Sequence, residues 1–404
     1  MENGRGLHVV FIADIPTTGG ATDCLVELVG CLVAEQGVRC TVCTAQGSDL
    51  NDRLAAVGAG SVVTGHGAFL TTISRTAWKK PISFVKRWLI WKRDNAHAVG
   101  VAESAIDFDS VDIIHSNLPR NDIGMILAGR HGLPHVCHLR ENSFEGFKLI
   151  SLKPSPEKYL ANGSDALVAV SESVKRNWVR RGMDASKLRV IYDGISAASV
   201  AAYARARQAR RPDPQGRVRC IFLGGYYGVK GLSDVLGAVG LLTSEERSRL
   251  LIEVYGSGLE SREGQEAARL VKERGLSDVV ELHGYADDVP SLLGGYDVGL
   301  ACSKAEAFGR IILEYRAAGL AVVAARSGSF PELVRGGEDG LLYDVSDPSH
   351  GLAETLRTLI ADEGFAARLA NAPHPIRTER DVAREVLTLY DDVLASRGRG
   401  DDNR

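Results

Sequence analysis

Two acids and an ammonium group carry the clearest chemistry in this chain. Glu306-Ala307-Phe308-Gly309-Arg310-Ile311-Ile312-Leu313-Glu314 follows the apolar run DVGLAC. Gly309 is placed to open a helix, with Glu314 about one and a half turns further along. The N–H groups of Phe308, Gly309 and Arg310 then converge at the helix start, where unpaired donors and the helix dipole favour an anion. A carboxylate at each end can accept two hydroxyl hydrogen bonds. A long ligand with hydroxyls at both ends and an anion between them, such as a nucleotide sugar, fits that order. A solvent-facing helix with two acids would show the same spacing.

Lys230 stands in a second loop, Gly224-Gly225-Tyr226-Tyr227-Gly228-Val229-Lys230-Gly231, after the apolar run VRCIFL. A Walker loop needs glycine directly before its lysine and Ser or Thr after it, and Val229 and Gly231 deny both. Lysine beneath a glycine-rich turn can still neutralise a diphosphate as a compact charge. Gly256-Ser257-Gly258 supplies two glycines of a dinucleotide fingerprint, but Ser261 stands where the third belongs, which argues against a nicotinamide cofactor. Nearer the start, Asp14-Ile15-Pro16-Thr17-Thr18 leads to Gly19 and Gly20, which open a helical pattern. That turn can cradle an anion, or serve only as a strand-to-helix connection.

Three further patterns have competing readings. Asp107-Phe108-Asp109 has the D-x-D form that holds a divalent ion elsewhere, yet it precedes a strand, and ligands of parallel sheets bind beyond the carboxyl ends. Cys40 and Cys43 lie three apart in a strand, so they face opposite sides of the sheet, and no second pair completes a zinc site. Between residues 75 and 93, Arg75, Lys79, Lys80, Lys86, Arg87, Lys92 and Arg93 interleave with Trp78, Phe84, Trp88, Leu89 and Trp91. Such a helix can lie in an anionic membrane interface, or pack its aromatics on a sheet and leave its cations in water.

The elements that must position these groups alternate. LHVVFIA, VRCTVCT, VDIIHS, PHVCHL and ALVAVS read as strands in the first half; VRCIFLGG, LLIEVYG, VVELHG, DVGLAC and AVVAA do so in the second. Helical patterns lie between them, so the fold class is α/β with parallel sheets covered on both faces. At 404 residues the chain exceeds one hydrophobic core. We expect a first domain over 1–197, a connection over 198–216 ending in Pro212 and Pro214, a second domain over 217–375, a final helix over 376–396 and a tail over 397–404. A net charge of −3 excludes a wholly basic polyanion binder. No apolar run reaches the ~20 residues of a membrane span, and no signal peptide pattern opens the sequence. Seven scattered cysteines read as reduced core thiols of a cytoplasmic protein.

From Phe222 to about Tyr343 the motifs run in a recognisable order: G-G with Lys230-Gly231, V-Y-G-S-G, L-H-G-Y, the Glu306 to Glu314 segment, A-G-L-A-V-V-A, G-S-F-P-E-L-V and G-L-L-Y. This series resembles the catalytic domain of glycosyltransferase family 4. The first half matches more loosely through P-x-x-G-G, Asp112-Ile113-Ile114-His115 and SDALVAVSESVKRNW leading to VIYDGI, and HVCHLRE resembles bacterial polysaccharide transferases of that family. The resemblance implies the GT-B fold, two facing Rossmann-like domains with an interdomain cleft. It implies a retaining hexosyltransferase that uses a nucleotide-diphosphate sugar as donor substrate, needs no cofactor or metal, and glycosylates a hydroxyl of a polysaccharide, glycolipid or metabolite. A lipid-linked acceptor would suit a peripheral location at the inner membrane face. No nucleic acid partner is expected.

Carried onto this chain, the family pattern gives Lys230 the diphosphate, Glu314 the ribose, and Glu306 with Phe308 and Gly309 the sugar and phosphate. Gly224, Gly225, Gly256 and Arg310 would line the donor, and Gly19 and Gly20 the first-domain side. The family's second diphosphate cation, an Arg, is replaced here by Gly224-Gly225, so Arg310, Lys304 or Arg140 would have to substitute. The first-domain catalytic histidine falls near His138-Leu139-Arg140-Glu141, leaving His138, Arg140 and Glu141 as alternatives. A nucleotide-sugar epimerase or hydrolase, or a weakened sugar-nucleotide-binding partner subunit, is the competing reading.

Overall fold

The computed structural model describes residues 6–13, 19–74, 76–144, 146, 148–208, 213–226, 228–362 and 364–401. The expected Asp14 to Thr18 turn lies outside them. The chain divides into two compact units, Met1–Gly194 with Thr378–Arg404, and Ile195–Arg377.

Among the described residues the strands are β1 (His8–Ala13), β2 (Arg39–Thr44), β3 (Gly60–Val63), β4 (Leu70–Thr71), β5 (Ile113–Ser116), β6 (His135–Leu139), β7 (Ile150–Ser151), β8 (Ala166–Ala169) and β9 (Leu188–Val190) in the first unit. The second holds β10 (Val218–Leu223), β11 (Leu250–Tyr255), β12 (Val280–His283), β13 (Val298–Ala301), β14 (Ala321–Ala325) and β15 (Leu341–Tyr343). The first unit's sheet runs β3-β2-β1-β5-β6-β8-β9 and the second's β12-β11-β10-β13-β14-β15; β4 and β7 form a small separate pair. Both large sheets are parallel throughout. Each order reverses direction once, between β1 and β5 and between β10 and β13. In a doubly wound sheet, ligands bind beyond the carboxyl ends at such a reversal.

Period-two alternation sends β1 to two cores. Val9, Phe11 and Ala13 pack under the helix Gly20–Gln36, while Val10 and Ile12 pack with Ala98, Ala102, Ile123 and Leu127. Cys40 and Cys43 likewise enter opposite cores, and the seven cysteines are buried, with no disulfide among the described residues. The helix Glu379–Asp401 belongs to the first unit, where Val382, Val386, Leu389 and Tyr390 join its core.

The expected connection over 198–216 is in part an element of the second unit. Ala197–Gln208 is helical, as its alanines and arginines favour, and it buries Tyr203. A side chain at Gly294 would come within 2.6 Å of the Ala206 carbonyl, so Gly294 lets this helix approach closely. The basic aromatic segment also divides. It forms the helix Lys80–Ala105, with Trp91 buried and Trp78 and Trp88 exposed.

Candidate functional site

In the second unit the reversal lies between β10 and β13, and the loops leaving those two strands carry Lys230 and Glu306. Lys230 Nζ donates to Glu306 Oε2 at 3.2 Å. Two residues 76 apart in sequence thus share one corner, and neither is buried: their side chains are 39% and 22% exposed.

Close backbone approach makes this corner. Gly231, in the left-handed conformation at φ 85°, caps the helix Leu232–Gly240. A Cβ there would fall 2.1 Å from the Cys302 carbonyl oxygen, so only glycine permits the two loops to meet. Lys304 N–H donates to Val229 O (2.9 Å), stitching them together. Gly224 leaves room for the Lys230 stem, since a Cβ would lie 3.2 Å from Lys230 Cβ and 2.9 Å from the Phe222 ring. Gly256 acts one layer back: its Cβ would meet Gly225 Cα at 2.8 Å, and Gly225 N–H donates to Tyr255 O (3.1 Å).

Gly309, with φ 88°, starts the helix Arg310–Ala317 without a side-chain cap. Phe308 is buried, while Arg310 and Glu314 on the helix are half-buried. The loop before this helix is held from behind by a segment that the sequence motifs contained but whose role was not read from them. Ser327 Oγ donates to Lys304 O (2.7 Å) and Ser329 Oγ to Phe308 O (2.6 Å). Between these serines, a Cβ at Gly328 would strike Glu306 O at 2.3 Å. Lys304 pairs at 2.9 Å with Asp234 on the helix Leu232–Gly240. Tyr315 is fully buried beneath the sheet, where Leu223 N–H donates to its hydroxyl (3.2 Å), so it does not line the corner.

The first unit brings His138 and Arg140 together at the carboxyl end of β6. His138 is fully buried and stacks on His115 with ring centroids 5.6 Å apart. Neither of its ring nitrogens has a hydrogen-bond partner among the described residues. Burial, then Arg140 and His115, hold its pKa well below the ordinary histidine range, so the imidazole is neutral. Arg140 is ion-paired with Asp193 and donates from Nε to Asn117 Oδ1 (2.9 Å). Asn117 in turn donates to Ala21 O (3.1 Å) in the first turn of the helix that Gly20 opens behind its cap Gly19. Glu141 receives Arg120 Nε at 2.8 Å and Ser143 Oγ at 2.7 Å. Arg140 and Glu141 are therefore held by their own unit.

Asp107-Phe108-Asp109 precedes β5, with Phe108 buried and stacked on His131 at 4.2 Å. Among the described residues, one group could supply three metal ligands: Glu253, Glu281 and His283, with ligand atoms within 4.8 Å of one another. It lies on β11 and β12, neither of which leads into the loops of Lys230 and Glu306, and Glu253 is paired with Arg219 at 2.7 Å.

The profile described as Glycosyltransferase Family 4 matches residues 18–199, and that of Glycosyl transferases group 1 matches residues 206–373. The chain belongs to glycosyltransferase family 4. The first profile covers the first unit's sheet from β2 onward, and the second covers the whole sheet of the second unit with the Lys230 and Glu306 corner. This glycosyltransferase is 28% identical over 310 residues to the D-inositol 3-phosphate glycosyltransferase of Acidothermus cellulolyticus, covering 71% of this chain and 68% of that one. It is 26% identical over 317 residues to the lipopolysaccharide core biosynthesis glycosyltransferase LpsE of Rhizobium meliloti, covering 76% and 88%. The solved structure of Anabaena HepE in complex with UDP and glucose aligns with 97% of this chain and all of that one, at 20% identity and a TM-score of 0.69. That likeness establishes the GT-B fold.

Proposed function

We propose that this enzyme transfers a sugar from a nucleoside diphosphate sugar to a hydroxyl acceptor, with retention at the anomeric carbon and without a metal ion. The pairing of Lys230 with Glu306 at the reversal of the second sheet carries this reading. An ammonium, a carboxylate and an uncapped helix start meet there, which are the groups that a sugar diphosphate needs. HepE, of the same fold, is described in complex with UDP-glucose.

In this reading the diphosphate displaces the carboxylate from Lys230 Nζ, and the helix start at Gly309 faces its oxygens. Glu306 turns to the sugar hydroxyls, and Glu314 accepts from the ribose. The acceptor oxygen bonds to the anomeric carbon as the bond from that carbon to the phosphate oxygen breaks. The departing phosphate takes the hydroxyl proton on the same face. No protein nucleophile is needed; the enzyme supplies position and fixed charge. Lys304 is the better placed of the substitute cations, because its backbone is bonded to the Lys230 loop and its side chain, though paired with Asp234, is half exposed, whereas Arg140 is buried in its pair with Asp193.

The test is turnover of a panel of nucleotide sugars with a lipid or polyol acceptor, followed by proton NMR of the anomeric signal. Lys230→Ala and Glu306→Gln are each expected to lower kcat by roughly 10²–10³, about 2.7–4 kcal/mol of lost charge stabilisation. An excess of chelator should leave the rate unchanged. Near-normal kinetics in Lys230→Ala would refute the assignment.

A further inference from the structure

The helix Lys80–Ala105 is anchored along only part of its length. Trp91, Asn95, Ala98 and Ala102 face inward, and Trp91 Nε1 (3.0 Å) and Asn95 Nδ2 (2.6 Å) both donate to the buried Asp122. From Lys80 to Ile90 no residue is buried. Here Ile82, Val85 and Leu89 are 65%, 54% and 55% exposed, and Trp78, in the turn just before the helix, is 68% exposed. Positions 78, 82, 85 and 89 recur at helical spacing and form one stripe about 17 Å long. Ile82 and Trp91 are nine residues apart, two and a half turns, so the exposed stripe points away from the buried one.

The charge around this stripe has one sign. Lys79, Lys80, Lys86, Arg87, Lys92 and Arg93 are all exposed, and the sequence holds no Asp or Glu from Arg53 through Arg93, although the whole chain is net acidic. A second copy of this face would set six cations against six, which opposes self-association. A narrow apolar stripe with an exposed tryptophan and flanking lysines suits a lipid interface, where the ring and apolar side chains enter the acyl boundary and the long cationic stems reach headgroup phosphates. No described helix is long and apolar enough to cross a membrane.

We propose that the first half of this helix docks the protein on an anionic bilayer, lying in its plane with Trp78, Ile82, Val85 and Leu89 inserted. Nothing in this depends on the donor site.

Intrinsic fluorescence reads the docking directly, because Trp78 and Trp88 are exposed while Trp91 and Trp178 are buried. With the full chain and vesicles of phosphatidylglycerol in phosphatidylcholine, emission should shift to the blue and the protein should float with the lipid. Pure phosphatidylcholine should do neither. Each cation near the surface is worth roughly fivefold in partition, so Lys86→Ala with Arg87→Ala should weaken flotation about 25-fold. Ile82→Ser with Val85→Ser and Leu89→Ser should abolish the blue shift with melting temperature unchanged, since none of the three is buried. Equal binding to neutral vesicles, no binding to anionic ones, full binding by the triple variant, or dimers formed through this face in sedimentation would each overturn the proposal.

Discussion

At the carboxyl end of the first sheet Arg140 and Asp193 are ion-paired with side chains only 2% and 7% exposed; at that of the second, Lys230 and Glu306 are paired 3.2 Å apart and open to solvent. The sheets share one topology but use that edge differently. The first unit consumes its charge internally, through Asn117 and the helix that Gly20 opens, and keeps His115 and His138 neutral. The second unit holds its ammonium and carboxylate on two glycine-built loops where a ligand can part them. A charge pair buried in its own fold secures structure; an exposed one is available to a substrate.

Removing the buried partner should therefore cost most. Arg140→Ala leaves Asp193 charged and buried, and about 3–5 kcal/mol of stability should be lost in urea unfolding. Lys230→Ala breaks a solvated pair and should cost at most about 1 kcal/mol. Equal losses in the two variants would break the comparison.

Acid should separate the units next. Burial lowers His66 and His135, both in the first unit, to about 4. Unfolded histidine titrates near 6.5, so as pH falls below that value the unfolded chain binds protons that the folded unit refuses. The contribution is complete above about pH 6.5 and is lost progressively towards pH 4, about 3 kcal/mol for each histidine. Hydrogen exchange between those values should show the first unit opening before the second; simultaneous opening would argue otherwise.

Smaller effects sharpen the second unit's side. Gly231→Ala forces a side chain against the Cys302 carbonyl at positive φ, costing about 1–3 kcal/mol and misplacing Lys230, so donor KM should rise with kcat falling. Lys304→Ala should weaken donor binding by about five- to tenfold, the net worth of one ordinary hydrogen bond, about 1 kcal/mol.

Much of this arrangement was legible in the sequence. Runs such as LHVVFIA and AVVAA announce central strands because both faces of a parallel sheet are buried. The edge strands β3, β9 and β15 have three or four residues each, too few for a pattern, and their place is decided by pairing. Ala197–Gln208 was hidden by the prolines after it, although its composition favours a helix. Lys230 and Glu306 could be chosen by residue type and motif. Their union could not, because the contacts that create it, Gly231 on Cys302 and Gly328 on Glu306, are made by backbone and leave only glycine to read. Arg140 shows the opposite case: a charged residue beside a motif carries no sign in the sequence that it is buried.

A crystal of the enzyme soaked with a uridine diphosphate sugar tests the central claim most directly. The diphosphate should replace Glu306 on Lys230 Nζ, within about 3 Å, with the start of the Arg310–Ala317 helix facing its oxygens. A diphosphate bound elsewhere, with the Lys230 to Glu306 pair intact, would contradict it.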